Sequence, residues 1–185
     1  MLFNSRYKNM SNFWSSGTLA VIVALAQSQA FASEWRQHLP QAKLIGSGDL
    51  RWFGLPVYSA KLWAASATFD PKTNFALELT YQLSISRERF VDTSINEIKR
   101  LQGDKVNAET LLRWKTYMEK AFTDVQSGDQ LIGVNLAKTG CRFYSKDKLL
   151  AEINDIEFSE AFFAIWFDPR SKDSGLRKQL TGISR

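Results

Sequence analysis

The chain has 185 residues, 44% hydrophobic and 23% charged, with a formal net charge of +5, one His and one Cys. A single imidazole and a single thiol exclude a His-pair metal site and an internal disulfide; His38, in a lead-in segment beside Pro40, is also a poor base for a Ser-His-Asp triad. The pI near 9.3 does not point to nucleic acid, because basic residues alternate with acids, as around Glu119 between Lys115 and Lys120 and around Asp173 between Arg170 and Arg177.

Residues 1–32 carry Arg6 and Lys8 and no acid, then an apolar run over 18–26, then Ala30-Phe31-Ala32 with small residues at alternate positions. This pattern predicts a cleavable signal peptide with Ser33 as the new N-terminus, and so a periplasmic protein. The run is about half the ~20 residues that a spanning helix needs, so no transmembrane anchor is expected after cleavage. Residues 33–185 then suffice for one domain with a sizeable core, and no repeat or linker interrupts them.

Within that domain, 43–53 and 57–65 read as strands with Gly54 and Pro56 marking a bend or bulge between them, which puts Tyr58, Ala60, Leu62 and Ala64 on one face. Gly46-Ser47-Gly48 sits inside the first strand and reads as a bulge rather than a phosphate loop, since no third glycine or lysine follows. Over 75–85, Phe75, Leu77, Leu79, Tyr81, Leu83 and Ile85 alternate with smaller or polar residues, the period of a strand with one buried face.

The period then lengthens. Ser86 caps a helix through Val91, Ile95, Ile98 and Leu101 that Gly103 ends, and Asn107 caps a second through Leu111, Trp114, Met118, Ala121 and Phe122. Strands return at 130–137, 141–144 and 149–153, with Lys138-Thr139-Gly140 as a hairpin-like turn. A helix capped by Ser159 runs through Ala161, Phe162, Ile165 and Trp166 to Asp168-Pro169, and a short helix pairs Leu176 with Leu180 before Gly182. Strands grouped with strands and helices with helices predict an α+β fold, an antiparallel sheet with helices packed on one face.

The stretch G-S-G-D-L-R-W-F-G-L-P-V-Y-S-A-K-L-W, the N-A-E-T to M-E-K-A-F helix, the S-G-D-Q-L-I-G-V strand and F-F-A-I-W-F-D-P-R-S-K-D-S-G-L-R-K-Q-L-T-G together resemble the bacterial exported branch of the chalcone isomerase-like proteins, over nearly all of 33–185. The resemblance implies an open-faced β-sandwich, a large antiparallel sheet with helices layered on it and a ligand cleft between. Members include plant isomerases that close a flavanone ring, and non-catalytic relatives that bind fatty acids or assist partner enzymes. Where the plant enzymes place an arginine near the start of the first long strand, this chain offers Gln41 to Lys43, so Lys43 is the nearest substitute, without the planar fork of a guanidinium. Their threonine on the following strand falls at Phe53 and their tyrosine before the second helix near Asn107. These three departures set the chain apart from the catalytic members.

Arg51 is the cation expected nearest a ligand carboxylate, Tyr58 a donor to the same group, and Lys43 and Phe53 further ligand-binding candidates; the alternatives are an exposed strand arginine and a core tyrosine. Lys61 points away from Tyr58 on a regular strand and reads as solvated. Phe162, Phe163, Trp166 and Phe167 roof a cleft or form plain core. The reading that follows is a non-catalytic binder of a fatty acid or similar amphipathic carboxylate, with no cofactor, no metal and no nucleic acid. An isomerase or lyase acting on a chalcone-like enone, and an envelope partner-binding protein with a filled core, stay open as alternatives.

Overall fold

Alternating residues pair into hairpins wherever a turn brings successive strands back on themselves, and that rule builds the sheet on either side of one helical crossover between its third and fourth strands. A computed structural model describes residues 34–146 and 148–182; the signal-peptide reading of 1–32 lies outside the described residues. Six strands, β1 (Lys43–Trp52), β2 (Leu55–Ala64), β3 (Phe75–Tyr81), β4 (Gln130–Leu136), β5 (Gly140–Ser145) and β6 (Lys148–Ile153), form one sheet in chain order with every neighbouring pair antiparallel. Helices α1 (Arg87–Gln102) and α2 (Ala108–Ala121) bridge β3 and β4, and α3 (Ile156–Phe167) and α4 (Ser174–Thr181) follow β6. The expected α+β architecture with helices on one sheet face is the one observed.

The inner, helix-covered face carries Ala60, Leu62, Ala64, Phe75, Leu77, Leu79, Tyr81, Leu131, Cys141 and Phe143, in one core with Val91, Ile98, Trp114, Met118, Phe158, Phe162 and Leu180. Local chemistry starts and stops the helices. Ser86 accepts from the Arg89 amide at 3.3 Å and Asn107 from the Thr110 amide at 2.8 Å, while Gly103 ends α1 at φ 57°. The third cap differs from expectation: Asp155 accepts from the Phe158 amide at 2.9 Å, so α3 begins a turn earlier. Ser159 lies inside that helix, buried, and donates to Asn135 Oδ1 at 2.7 Å.

Two strand boundaries also moved. The 75–85 alternation ends as a strand at Tyr81, and Ile85 makes only an isolated bridge with Val125, because the Ser86 cap turns the chain into α1. Between β1 and β2, Phe53 and Gly54 form a two-residue turn with φ 48° and 81°, closing a tight hairpin in which Trp52 faces Leu55. The pairing shifts between Leu50 and Arg51, where Val57 is the extra residue on β2, and again between Leu44 and Gly46, where Ile45 is extra; Gly46-Ser47-Gly48, expected as a bulge, instead pairs regularly with Leu62, Lys61 and Ala60. Gly46 has a packing role: a Cβ there would run into the backbone carbonyls of Gln179 and Leu180, so its bareness lets α4 lie directly on β1.

The outer face is not bare. A 3-10 helix, Glu34–His38, lays Trp35 and Leu39 against Ala76, Ile132, Val134 and Tyr144. The lead-in is thus docked on the sheet. The Arg36 guanidinium stands 4.3 Å from the Trp63 ring centroid and 4.5 Å from that of Trp35. His38 Nε2 lies 2.6 Å from Arg142 Nη1, whose neighbour Nη2 pairs with Glu152 at 2.8 Å. A guanidinium has no lone pair to offer, so His38 accepts and its imidazole must be neutral. Burial first, then the Arg142 charge, hold its pKa below 6.5 against the opposing pull of Glu152 and Glu34.

Two outcomes follow from these contacts. Gly46→Ala forces α4 off β1 and lowers stability by about 1–3 kcal/mol, read as a lower urea midpoint. His38, reluctant to protonate when folded, contributes stability that is complete above pH 6.5, its ordinary pKa, and is lost as pH falls toward its lower folded value. The difference in melting temperature between the natural chain and His38→Gln should therefore shrink or reverse between pH 7.5 and 5.5.

Candidate ligand site

The inner seam between the sheet and α3 gathers several large aromatic side chains around an interior hollow. At its floor is Gly133 of β4, where a Cβ would stand only 3.0 Å from the Phe163 ring, so the missing side chain admits that ring onto the strand. Around it stand Leu77, Leu79, Leu131, Phe143, Phe162 and Trp166. Phe162 meets Phe143 edge-on at 5.1 Å and Trp166 at 5.4 Å, and Phe163 meets Phe75 at 4.9 Å. The void left among them measures about 10 Å³, at most about one water's worth of space. A second hollow of about 20 Å³ opens beside Phe90, Phe122, Asp124, Asp129 and Leu150.

One polar pair marks the seam's end toward β2. Trp166 Nε1 donates to the Tyr58 hydroxyl at 2.9 Å, and the Tyr58 ring meets Tyr81 edge-on at 5.9 Å. Burial raises the pKa of both phenols well above the ordinary tyrosine value, so neither supplies a base near neutral pH. On the other side of the seam, Cys141 is buried with its thiol pushed up to about 12 by desolvation, with hydrogen bonding to Ser159 opposing. Ser159, Asn135 and the Thr73 carbonyl form a hydrogen-bonded chain that ties α3 to β4 and the end of the β2–β3 loop. It contains no imidazole or carboxylate and so lacks the base a serine nucleophile needs.

Of the four residues read as ligand-binding, only Tyr58 faces this seam. Arg51 is exposed, its Nη1 donating to the Gly54 carbonyl of its own turn at 3.2 Å. Phe53 is 88% exposed at the hairpin tip. Lys43 is exposed at the far end of β1, opposite Ala64, roughly 25 Å along the strand from Arg51 at the usual rise per residue. With Arg51 and Phe53 exposed at the hairpin and Lys43 at the far end of β1, these four side chains form no common polar end. Lys61 lies on the outer face as expected, paired with Glu78 at 3.4 Å, which also accepts from Trp63 Nε1 at 3.0 Å. Asn107 serves as the α2 cap.

The aromatic cluster of Phe162, Phe163 and Trp166, expected either to roof a cleft or to be plain core, lines the seam, whereas Gly133 had no expected site role. A lone glycine inside the otherwise apolar β4 was the available signal for a close approach. Among the described residues no group of His, Cys, Asp and Glu lies close enough together to hold a metal, and no helix is long and apolar enough to cross a membrane.

A six-stranded antiparallel meander with four helices on its inner face and an aromatic seam between the layers defines an open-faced α+β sandwich. The chain belongs to the chalcone isomerase-like family, whose model matches residues 37–182. Its fold is similar to the crystal structure of a fatty-acid binding protein of Arabidopsis thaliana, with a TM-score of 0.58 at 11% identity over 76% of this chain and 87% of that one. No curated protein sequence matches the chain.

The Tyr58–Trp166 bond is testable by itself. Tyr58→Phe leaves a buried indole N–H without its acceptor and should cost about 1–3 kcal/mol, measured by urea unfolding, with little change in the far-UV dichroism of the native state.

Proposed function

We propose that this protein is a non-catalytic member of its family that binds a fatty acid or similar amphipathic carboxylate in the seam between the sheet and α3. The observation that carries this reading is the seam's composition: a lining of leucines and aromatic rings with no charged side chain, closed at one end by the Tyr58–Trp166 pair. The fold likeness to a fatty-acid binding protein supports it. The acyl chain would part Phe162, Phe163 and Trp166 from Gly133, and the Tyr58 hydroxyl and Trp166 indole would donate to the carboxylate. Entry therefore requires opening, and association is slow compared with a preformed pocket. In the same proposal the protein belongs to an exported, periplasmic branch, reached through a signal peptide at 1–32.

Isomerase chemistry fits less well, since no cation lines the seam and both of its phenols are held protonated. A second reading, a partner-binding protein with a filled core, is favoured by one observation: the two hollows described reach only about 10 and 20 Å³, far below the several hundred Å³ of a usual ligand pocket.

Delipidated protein titrated with C12 to C18 fatty acids and followed by native mass spectrometry separates these readings. Binding of one acyl chain, weakened several-fold by Tyr58→Phe, supports the seam. Absence of any adduct with the natural chain overturns it in favour of the filled-core reading, and turnover of a chalcone above the spontaneous rate overturns the non-catalytic assignment.

A further inference from the structure

The β1–β2 hairpin ends in a group of side chains that folding does not explain. Trp52 and Leu55 face each other across the last pair of the ladder and are each 64% exposed, and Phe53 beyond them is 88% exposed. The Trp52 and Phe53 rings meet edge-on at 4.9 Å, so the tip is a continuous apolar ledge. Phe53 moreover holds φ at 48°, a region that bulky residues enter at a cost and that Asn or Gly fills readily in such turns. The turn thus accepts backbone strain and exposes a phenyl ring to water at the same position. Nothing in the described structure packs against it in return.

Three further observations identify what covers this ledge. At those exposures the three side chains offer roughly 400 Å², whereas a specific protein interface needs about 800 Å² from each partner. The tip is a two-residue hairpin turn with nothing within 4 Å of a side chain built at Gly54, an arrangement suited to insertion rather than to flat docking. Arg51 is the only charged residue between Asp49 and Lys61, and its guanidinium already donates to the Gly54 carbonyl. That bond satisfies a turn carbonyl that would be costly to bury in an apolar medium, and it holds a cation at the level of lipid phosphates when the rings lie deeper.

We propose that Trp52, Phe53 and Leu55 insert into the interfacial region of an anionic lipid bilayer, with Arg51 at the headgroup level. This inference is independent of the seam's occupancy: a protein that holds no acyl chain still has this tip.

The test uses the full chain with an environment-sensitive fluorophore on Phe53→Cys, and on Lys138→Cys in the β4–β5 turn at the opposite end of the sheet; Cys141 is buried and stays unlabelled in the native protein. With vesicles of phosphatidylglycerol and phosphatidylcholine, the label at 53 should brighten and shift to the blue, and be quenched by lipids spin-labelled near the headgroup, while the label at 138 keeps its aqueous spectrum. Unlabelled Trp52→Ser/Phe53→Asn should lose roughly tenfold or more in vesicle co-sedimentation. Asparagine suits the turn, so its melting temperature should hold. An aqueous spectrum at 53 in the presence of vesicles overturns the proposal, as does unchanged sedimentation of the double variant. A blue shift at 53 that grows with protein concentration before any lipid is added also overturns it, and assigns the tip to a second copy of the chain.

Discussion

Phe163 rests on the backbone of β4 because residue 133 has no side chain, and that contact sets the distance between the two layers of the molecule. With α3 held this close, Phe162 and Trp166 interlock with Phe143 and with the Tyr58 hydroxyl, and the space between sheet and helix closes to less than a ligand's volume. The same device recurs at the edge, where Gly46 admits α4 onto β1. Close approach of helix to strand maximises dispersion contact per residue. It also means that anything entering the seam must displace aromatic rings, so interior binding is coupled to motion of α3.

Polar groups are distributed so as to leave this seam nearly dry. The buried Glu97 carboxylate lies outside it on α1. Burial opposes its charge, yet Arg100 and Lys172, the latter at 2.8 Å, together hold its pKa below the ordinary carboxylate value and tie α1 to the segment after α3. Arg142, His38 and Glu152 lie on the opposite face, beneath the lead-in helix. The outer face therefore holds an ionic cluster and a pair of tryptophans, and the inner face holds rings with one hydrogen-bonded Tyr–Trp pair. Such separation keeps the ionic cluster and the aromatic seam on opposite faces of the sheet.

Much of the architecture was readable from residue order. Alternation in Phe75–Tyr81, the caps Ser86 and Asn107 and the stop at Gly103 are local signals, and each acts within a few residues of where it stands. Asp155 was missed in favour of Ser159 because both are capping residue types a single turn apart, and only the hydrogen bond to the Phe158 amide distinguishes them. Arg51 and Phe53 lie away from the seam for a related reason. Their side chains look suited to a cleft, but which side of the sheet a strand residue faces depends on pairing irregularities such as the bulge at Val57.

Hydrophobic period and local caps alone determined that this protein is an antiparallel sheet with helices laid on one side, since strands and helices form over short distances; the order of strands in the sheet came from the tertiary structure. Which glycine marks a contact, which tyrosine meets Trp166 and which arginine faces water were decided only in three dimensions. Those outcomes depend on pairs as distant as Tyr58 and Trp166 or His38 and Arg142, and no local preference of either partner encodes the geometry that joins them.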